Sequence, residues 1–180
     1  LCKKLSKNKF KSLLTKCIKT DFLTYWSHQK DLIKKDDHSK LSNYFKFKHN
    51  FTFEDYFNIK NRDKRVILTR FRISNHCLRI ERGRYERKID DHGKNITLPR
   101  SERTCQFCSM NSVEDEEHFL FKCTLYNKER KTFLDELFAK YPYLSQISDS
   151  NLLIWFMSND SLHFNSKLCE LLSSFYTLRN

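Results

Sequence analysis

The chain has 180 residues, which suits one domain or a helical domain with a small insert. It carries 34 Lys and Arg residues against 22 Asp and Glu, and this net charge of +12 favours polyanions, meaning nucleic acid or an anionic membrane surface. Only two Gly and two Pro are present, which argues against turn-rich β architectures and glycine-rich phosphate loops, whereas 16 Phe and 8 Tyr can fill a core.

Helical periodicity is the main pattern of the N-terminal third. Apolar residues mostly recur at helical spacing over residues 10–33, and the polar stretch 34–37 interrupts the pattern. A short element is expected at 41–47. Thr52 and Asp55 match a capping box, with the threonine first and an acid three residues later. The sequence therefore predicts one more helical turn directly after Thr52.

A helix followed by a polar region comes next. Asp63 is expected to cap a helix that ends near Asn75. Residues 78–100 are polar and include both glycines and Pro99, so they predict extended or loop structure.

Three helices are predicted in the C-terminal third. Thr124 is expected to cap the first, which Pro142 ends, and the apolar run 152–157 predicts a buried second helix. Asp160 is expected to cap the last helix. Its apolar stripe, which we expect to face the core, consists of Leu168, Leu171, Leu172, Phe175 and Leu178.

These patterns predict a mainly α fold, a helical domain with a small CCHC zinc-binding module inserted near the middle. We divide the chain into an N-terminal helical segment (1–60) and a basic helix with an Arg-rich loop (61–100). The CCHC zinc module (101–130) follows, and C-terminal helices (131–180) pack on the rest.

The most specific motif is C-x2-C-x9-H-x4-C, formed by Cys105, Cys108, His118 and Cys123. Three thiols and one imidazole complete a tetrahedral Zn²⁺ site and leave no coordination position for a substrate. The motif therefore predicts a structural zinc ion that folds a small module. The alternative interpretation is a set of ordinary buried cysteines with a hydrogen-bonded histidine.

The spacing of the second half of the motif predicts its local structure. His118 and Cys123 are five positions apart, so the two cannot share one face of a straight α-helix as an i, i+4 pair does. We place His118 on a short helix that begins near Glu114 with Ser112 as its cap, and Cys123 just past its end. His92 is a weaker substitute ligand.

Four consecutive acids at 114–117 raise the alternative of a metal-dependent nuclease. Consecutive residues on a helix point in several directions, whereas a two-metal site needs ligands that converge. We interpret these acids as the negative residues that suit the positive end of a helix dipole.

The remaining cysteines bear on the cellular compartment. Cys2, Cys17, Cys77 and Cys169 are scattered and lack the spacing of a disulfide framework. The sequence shows neither a signal-peptide pattern nor a run of about 20 apolar residues. We therefore expect an intracellular protein of the nucleus or cytoplasm that is neither secreted nor membrane-bound.

Basic residues are concentrated over residues 62–88, which hold ten Lys and Arg against three acids, a net charge of +7. Arginine dominates, and its planar guanidinium suits phosphate and stacks on bases. The lysines before residue 20 fit a solvated face. The predicted nucleic-acid contacts are Arg70, Arg72, Arg79, Arg82, Arg84, Tyr85, Arg87, Lys88, Arg100 and Arg103.

Three segments together resemble a known family. Residues 70–85 match R-F-R-x-S-x-H-x-L-x-I-E-x-G-R-Y, residues 105–108 supply C-x2-C, and residues 114–123 match E-D-x-x-H-F-L-x-x-C. This order resembles the C-terminal zinc-binding region of non-LTR (LINE-type) retrotransposon reverse transcriptases. The resemblance covers residues 62–130, somewhat over a third of the chain.

The resemblance implies a region downstream of a polymerase core that helps to hold element RNA or target DNA. It implies no catalysis, because the aspartate pairs at 36–37 and 90–91 lie in polar surroundings and fit turns, not a polymerase strand hairpin. We therefore expect a non-enzymatic fragment or relative of a reverse transcriptase, with the remainder of such an enzyme as a possible partner.

Two functions follow as hypotheses. The first is a non-catalytic zinc module that binds RNA or DNA through phosphate contacts. The alternative is a zinc-stabilised protein-interaction module without direct nucleic-acid binding.

Overall fold

A computed structural model of the chain describes residues 6–35, 40–49 and 52–179, and most of these residues are helical. The predicted mainly α fold is therefore confirmed. The chain divides into two compact units, Leu1–Phe53 and Glu54–Asn180. Among the described helices, none is long and apolar enough to cross a membrane.

Some predictions fall outside the part of the chain that the structure describes. Lys3 and Lys4 of the N-terminal lysine set lie there, as do Cys2 and the aspartate pair at 36–37. The predicted interruption at 34–37 is therefore described only as far as Lys35, the last residue of the first helix.

The first unit contains helices α1 (Lys7–Lys35) and α2 (Tyr44–Phe47). The helix predicted over 10–33 is confirmed, and the short element expected at 41–47 contains α2. Trp26 stacks on Phe22 with 5.5 Å between ring centroids, and its ring lies 4.3 Å from that of Phe45. Aromatic packing around one tryptophan thus holds this unit together.

The caps predicted for the next two helices differ from what the structure shows. The turn at Asp55–Asn58 is a 3₁₀ helix without a side-chain cap, so the capping box from Thr52 is wrong. Helix α3 (Arg62–Arg72) is capped by Asn61, whose Oδ1 accepts from the amides of Asp63 and Lys64 at 2.9 and 3.1 Å. Asp63 therefore lies inside the helix that it was expected to cap, because the extended residue just before the first turn is the one that reaches those amides.

The region 78–100 contains more regular structure than a loop. Helix α4 (Arg79–Arg82) precedes an antiparallel hairpin of β1 (Arg87–Ile89) and β2 (Asn95–Thr97). Gly93 lies in the hairpin connection at φ +79°, a left-handed conformation that favours glycine. The extended structure is confirmed, and α4 is an addition to it.

Three further helices complete the second unit: α5 (Asn127–Lys140), α6 (Asp149–Ser158) and α7 (Leu162–Leu178). A 3₁₀ turn, Thr124–Tyr126, precedes α5, so Thr124 is not the cap of the long helix itself, and a second 3₁₀ turn, Pro142–Gln146, follows it. The predicted buried helix at 152–157 is confirmed as part of α6.

Helix α7 carries the predicted core stripe. Its cap is Ser161, whose Oγ accepts from Phe164 N at 3.3 Å, so the predicted cap Asp160 is wrong. Four residues of the stripe are buried, whereas Leu178 is exposed. Helix α3 packs on α7, where Lys64 pairs with Glu170 at 2.7 Å.

An aromatic core joins these helices to the segment 118–126. The Phe119 ring meets the rings of Tyr126 and Phe175 edge-on at 5.0 and 5.3 Å between centroids, and Tyr126 stacks on Phe175 at 4.3 Å. All three side chains are fully buried. The segment that joins the second half of the CCHC motif to α5 is thus part of the main core.

Gly83 is required by close packing after α4. A Cβ atom at this position would lie 2.6 Å from Cγ of Arg103 and 2.9 Å from the carbonyl oxygen of Arg79. We expect Gly83→Ala to lower the free energy of unfolding by about 1–3 kcal/mol, as overpacked sites do. Urea titration followed by circular dichroism measures it.

Gly93 provides the matched control for that substitution. Nothing lies within 4 Å of a Cβ at Gly93, so Gly93→Ala costs only the left-handed backbone conformation, about 1 kcal/mol. Gly93→Asn should cost less, since asparagine tolerates that conformation. Equal losses for both Ala variants, with Asn no better at Gly93, would contradict the packing argument.

Candidate metal centre and nucleic-acid interface

The first half of the CCHC motif lies in a tight hairpin. Thr104 and Val113 form an isolated antiparallel bridge, and the amide of Cys105 donates to Ser112 O at 2.9 Å. The amide of Phe107 turns back and donates to Cys105 Sγ at 3.4 Å. A turn amide aimed at the sulfur favours the thiolate form that a metal ion requires.

The second half of the motif lies on a π-helical turn, His118–Lys122. The amide of Cys123 donates to His118 O at 2.8 Å, which is the i to i+5 bond of a π-helix. This wider turn accommodates the five-residue spacing, and Cys123 lies just past its end, as predicted. The helical turn begins at residue 116, and Asp115 Oδ1, not Ser112, accepts from the amide of His118 at 2.9 Å.

The four predicted ligands form one cluster. Their ligand atoms all lie within 4.8 Å of one another. Cys105 Sγ and Cys123 Sγ are 3.8 Å apart, and Cys108 Sγ lies 3.5 Å from His118 Nε2. A tetrahedral site with ordinary zinc bond lengths requires about 3.8 Å between two sulfurs and about 3.5 Å between sulfur and nitrogen. The cluster is therefore compatible with a four-coordinate metal ion.

Burial sets the protonation of the cluster. Removal from water raises the pKa of the Cys105 and Cys123 thiols and lowers the pKa of the His118 imidazole. The neutral imidazole is the form that binds a metal. Buried thiolates, in contrast, need a compensating positive charge nearby, and a bound cation supplies it.

Buried charged residues surround the cluster. Glu114 Oε1 lies 3.6 Å from Cys105 Sγ and pairs with Arg179 Nη1 at 2.5 Å. Their side chains are 1% and 6% exposed. On the other half, Arg130 donates to Leu120 O at 2.7 Å and to Cys123 O at 2.6 Å. Three thiolates and a divalent ion would sum to −1, and the two arginines outweigh Glu114 by one positive charge, which offsets it.

Two of the ten predicted nucleic-acid contacts are buried. Arg72 pairs with Glu54 at 3.3 Å and donates to Met157 O. Arg103 donates to Ile80 O at 2.9 Å and twice to Leu98 O. Both guanidinium groups hold segments of the fold together, so we remove these two arginines from the predicted interface.

Three further residues of the ten lie in ion pairs. Arg79 pairs with Glu86, Arg84 with Glu81, and Lys88 with Glu102. These acids compensate the local positive charge.

The remaining five residues are exposed, namely Arg70, Arg82, Tyr85, Arg87 and Arg100. Arg87 Nη1 donates to Thr97 Oγ1 at 2.5 Å. The side chains of Arg70 and Arg82 have no hydrogen-bond or ion-pair partner within residues 52–179, and both line one cleft. They are the residues best placed to contact an anion.

Sequence reasoning missed several residues around the metal cluster. Arg179 lies more than fifty residues past the motif, and nothing local connects it to Glu114. Arg130 is one of many basic residues near Cys123, and only the fold distinguishes it. Phe107 was open to prediction, because an aromatic residue between two ligand cysteines sits on a constrained turn.

Known proteins do not place this chain in a family. Comparisons with models of protein families, with curated proteins and with solved structures give no match. The resemblance to retrotransposon reverse transcriptases rests on the quoted motifs alone.

Proposed function

We propose that this chain is a non-catalytic, zinc-stabilised module that binds RNA or DNA. The observation that carries the proposal is the combination of a closed Cys3His cluster with exposed, unpartnered arginines in the same unit. Such a module resembles the C-terminal region of a retrotransposon reverse transcriptase and would act in the nucleus or cytoplasm.

The chemistry of the ligands supports zinc. Three thiolates and one imidazole suit Zn²⁺ better than Mg²⁺ or Ca²⁺, which prefer oxygen ligands. Cys105, Cys108, His118 and Cys123 would hold the ion. A bound zinc ion would cross-link the hairpin and the π-turn, because protein atoms would fill all four of its coordination positions.

The acids at 114–117 support a non-catalytic role. Glu114 forms an ion pair with Arg179. Glu116 accepts a hydrogen bond from Ser74 Oγ at 2.6 Å and lies 3.0 Å from His76 Nε2. Glu117 pairs with Lys122 at 2.5 Å. Each carboxylate is engaged with a different partner, so they do not converge on a second ion.

Electrostatic attraction supports nucleic acid as the ligand. We expect Arg70→Ala combined with Arg82→Ala to weaken binding to single-stranded RNA and to flatten its salt dependence. Removing one phosphate interaction reduces the slope of log affinity against log salt by about 0.7 for a single strand, so the double variant should reduce it by about 1.4. Fluorescence anisotropy across a salt series measures this slope.

The matched control for this double variant is Lys131→Ala combined with Lys140→Ala. Both lysines are exposed on α5, and the substitution removes the same charge. Their removal should leave the slope nearly unchanged. Equal slopes for both double variants would indicate nonspecific attraction to the net charge and would contradict the assignment of Arg70 and Arg82.

Helix α1 supports the second candidate function, a protein-interaction module. Its residues Phe10, Leu13, Leu14 and Ile18 are all exposed, and together they form an apolar surface on one helix. Under this alternative, binding to RNA and DNA is weak and insensitive to salt. The anisotropy series therefore separates the two functions.

A further inference from the structure

A cleft of about 600 Å³ lies in the second unit beside the metal cluster. Its walls come from α3, from the segment that follows it, from the C-x2-C hairpin and from the end of α7. The volume falls within the range of small-ligand sites in proteins. It is large enough for one nucleotide and far too small for a duplex.

The cleft is cationic. Arg70, Arg82 and Arg179 line it, and none of its lining residues is acidic. Arg179 is engaged with Glu114, so Arg70 and Arg82 supply the free guanidinium groups. Two planar guanidinium groups can bind one phosphate through several N–H donors.

One wall of the cleft is aromatic. Phe107 is 37% exposed. The Arg179 guanidinium covers one face of its ring, with 4.3 Å between the guanidinium carbon and the ring centroid, so a base can stack only on the other face. Phe107 lies between Cys105 and Cys108 in the chain, and its amide donates to Cys105 Sγ. A metal ion bound to both cysteines would therefore restrain the backbone that carries the ring, which would reduce the entropy lost when a base stacks on it.

A buried polar atom at the wall lacks a partner. The His76 side chain is 1% exposed, and its Nε2 is held by Glu116, which also accepts from Ser74. Its Nδ1 is buried without a hydrogen-bond partner among the described residues. Because water cannot reach this atom, it is an internal unpaired nitrogen of the wall and not a contact for a ligand in the cleft.

We propose that this cleft holds one unstacked nucleotide of a single-stranded nucleic acid, with the base on Phe107 and the phosphate between Arg70 and Arg82. The inference rests on the proposed nucleic-acid binding and names its ligand class. Bases in a duplex are stacked and paired, so only a single strand or an extruded base can reach the aromatic wall. The chain should therefore prefer single strands.

The test compares Phe107→Ala with wild type, both as the zinc-loaded full chain, by fluorescence anisotropy. The probes are a 12-residue oligouridylate and a 12-base-pair DNA duplex. Loss of one stacked base lowers single-strand affinity by about tenfold or more. Duplex affinity should change by less than about twofold. Tyr143→Ala is the matched control, because it removes another exposed aromatic ring.

A second variant covers a possible folding defect next to the ligand cysteines. Phe107→Trp keeps an aromatic platform, so it should retain the affinity of wild type and add a tryptophan signal that the oligouridylate quenches. Zinc content by atomic absorption shows that each variant keeps its cluster.

The outcomes distinguish the two proposals. Unchanged single-strand affinity in Phe107→Ala, or no added quenching in Phe107→Trp, would overturn the cleft while salt-dependent wild-type binding leaves the proposed function standing. An equal loss for both probes would overturn the single-strand preference. Absence of any wild-type binding would overturn both proposals together.

Discussion

Chelation of the zinc ion that we propose for the Cys3His cluster is expected to unfold the unit formed by residues 54–180. The cluster is continuous with the core. Phe119, which lies between His118 and Cys123 in the chain, packs on Phe175 and on Tyr126, three residues after Cys123. Structural zinc sites bind with about 10–16 kcal/mol in small peptides, whereas whole domains are stable by about 5–15 kcal/mol. Loss of the proposed ion would therefore remove a free energy comparable to the entire stability.

Thermal unfolding with and without a strong chelator measures this effect, and Cys108→Ser should reproduce it without chelator. Cys77→Ser is the matched control, since Cys77 is an exposed cysteine outside the cluster. It should keep the wild-type melting temperature. If chelation and Cys108→Ser left both the melting temperature and protease resistance unchanged, the cluster would have no structural role.

The second large effect is expected at the ion pair between Glu114 and Arg179. Arg179→Met leaves the Glu114 carboxylate without its charged partner. This carboxylate is 1% exposed and lies 3.6 Å from Cys105 Sγ. Breaking a buried pair by removing one partner costs about 3–5 kcal/mol, because the remaining charge is uncompensated. Urea titration of the zinc-loaded chain should show a loss of this size.

Two further variants isolate the buried charge as the cause. Glu114→Gln in the Arg179→Met background should recover part of the loss, since it neutralises the stranded carboxylate. Lys167→Met breaks an exposed pair with Glu136 and should cost less than about 1 kcal/mol. A small loss in Arg179→Met, or no recovery in the double variant, would contradict an electrostatic role for the pair.

The compact spacing of the CCHC motif made the cluster predictable. Tight turns between nearby ligands are determined locally, so the proximity of Cys105 to Cys108 follows from sequence alone. The position of Cys123 just beyond the His118 turn followed from the five-residue spacing. The π-helical form of that turn did not, because it depends on how Phe119 packs in the core.

Charge placement was the part that the sequence could not determine. Arg70 and Arg72 differ by two positions on α3, yet one is exposed on a cleft and the other is buried against Glu54. A helix turns about 200° over two residues, and only the packing of α3 on α7 decides which face meets solvent. Counts of basic residues therefore overestimated the interface.

The most direct test of the central claim is fluorescence anisotropy of the zinc-loaded chain with single-stranded RNA and with duplex DNA between 50 and 200 mM salt. If Arg70, Arg82, Arg87 and Arg100 each neutralise one phosphate, single-strand affinity should fall with a logarithmic slope of about −2.8, or about fiftyfold over this range. Weak binding to both probes that does not change with salt would contradict nucleic-acid binding and favour a zinc-stabilised protein-interaction module.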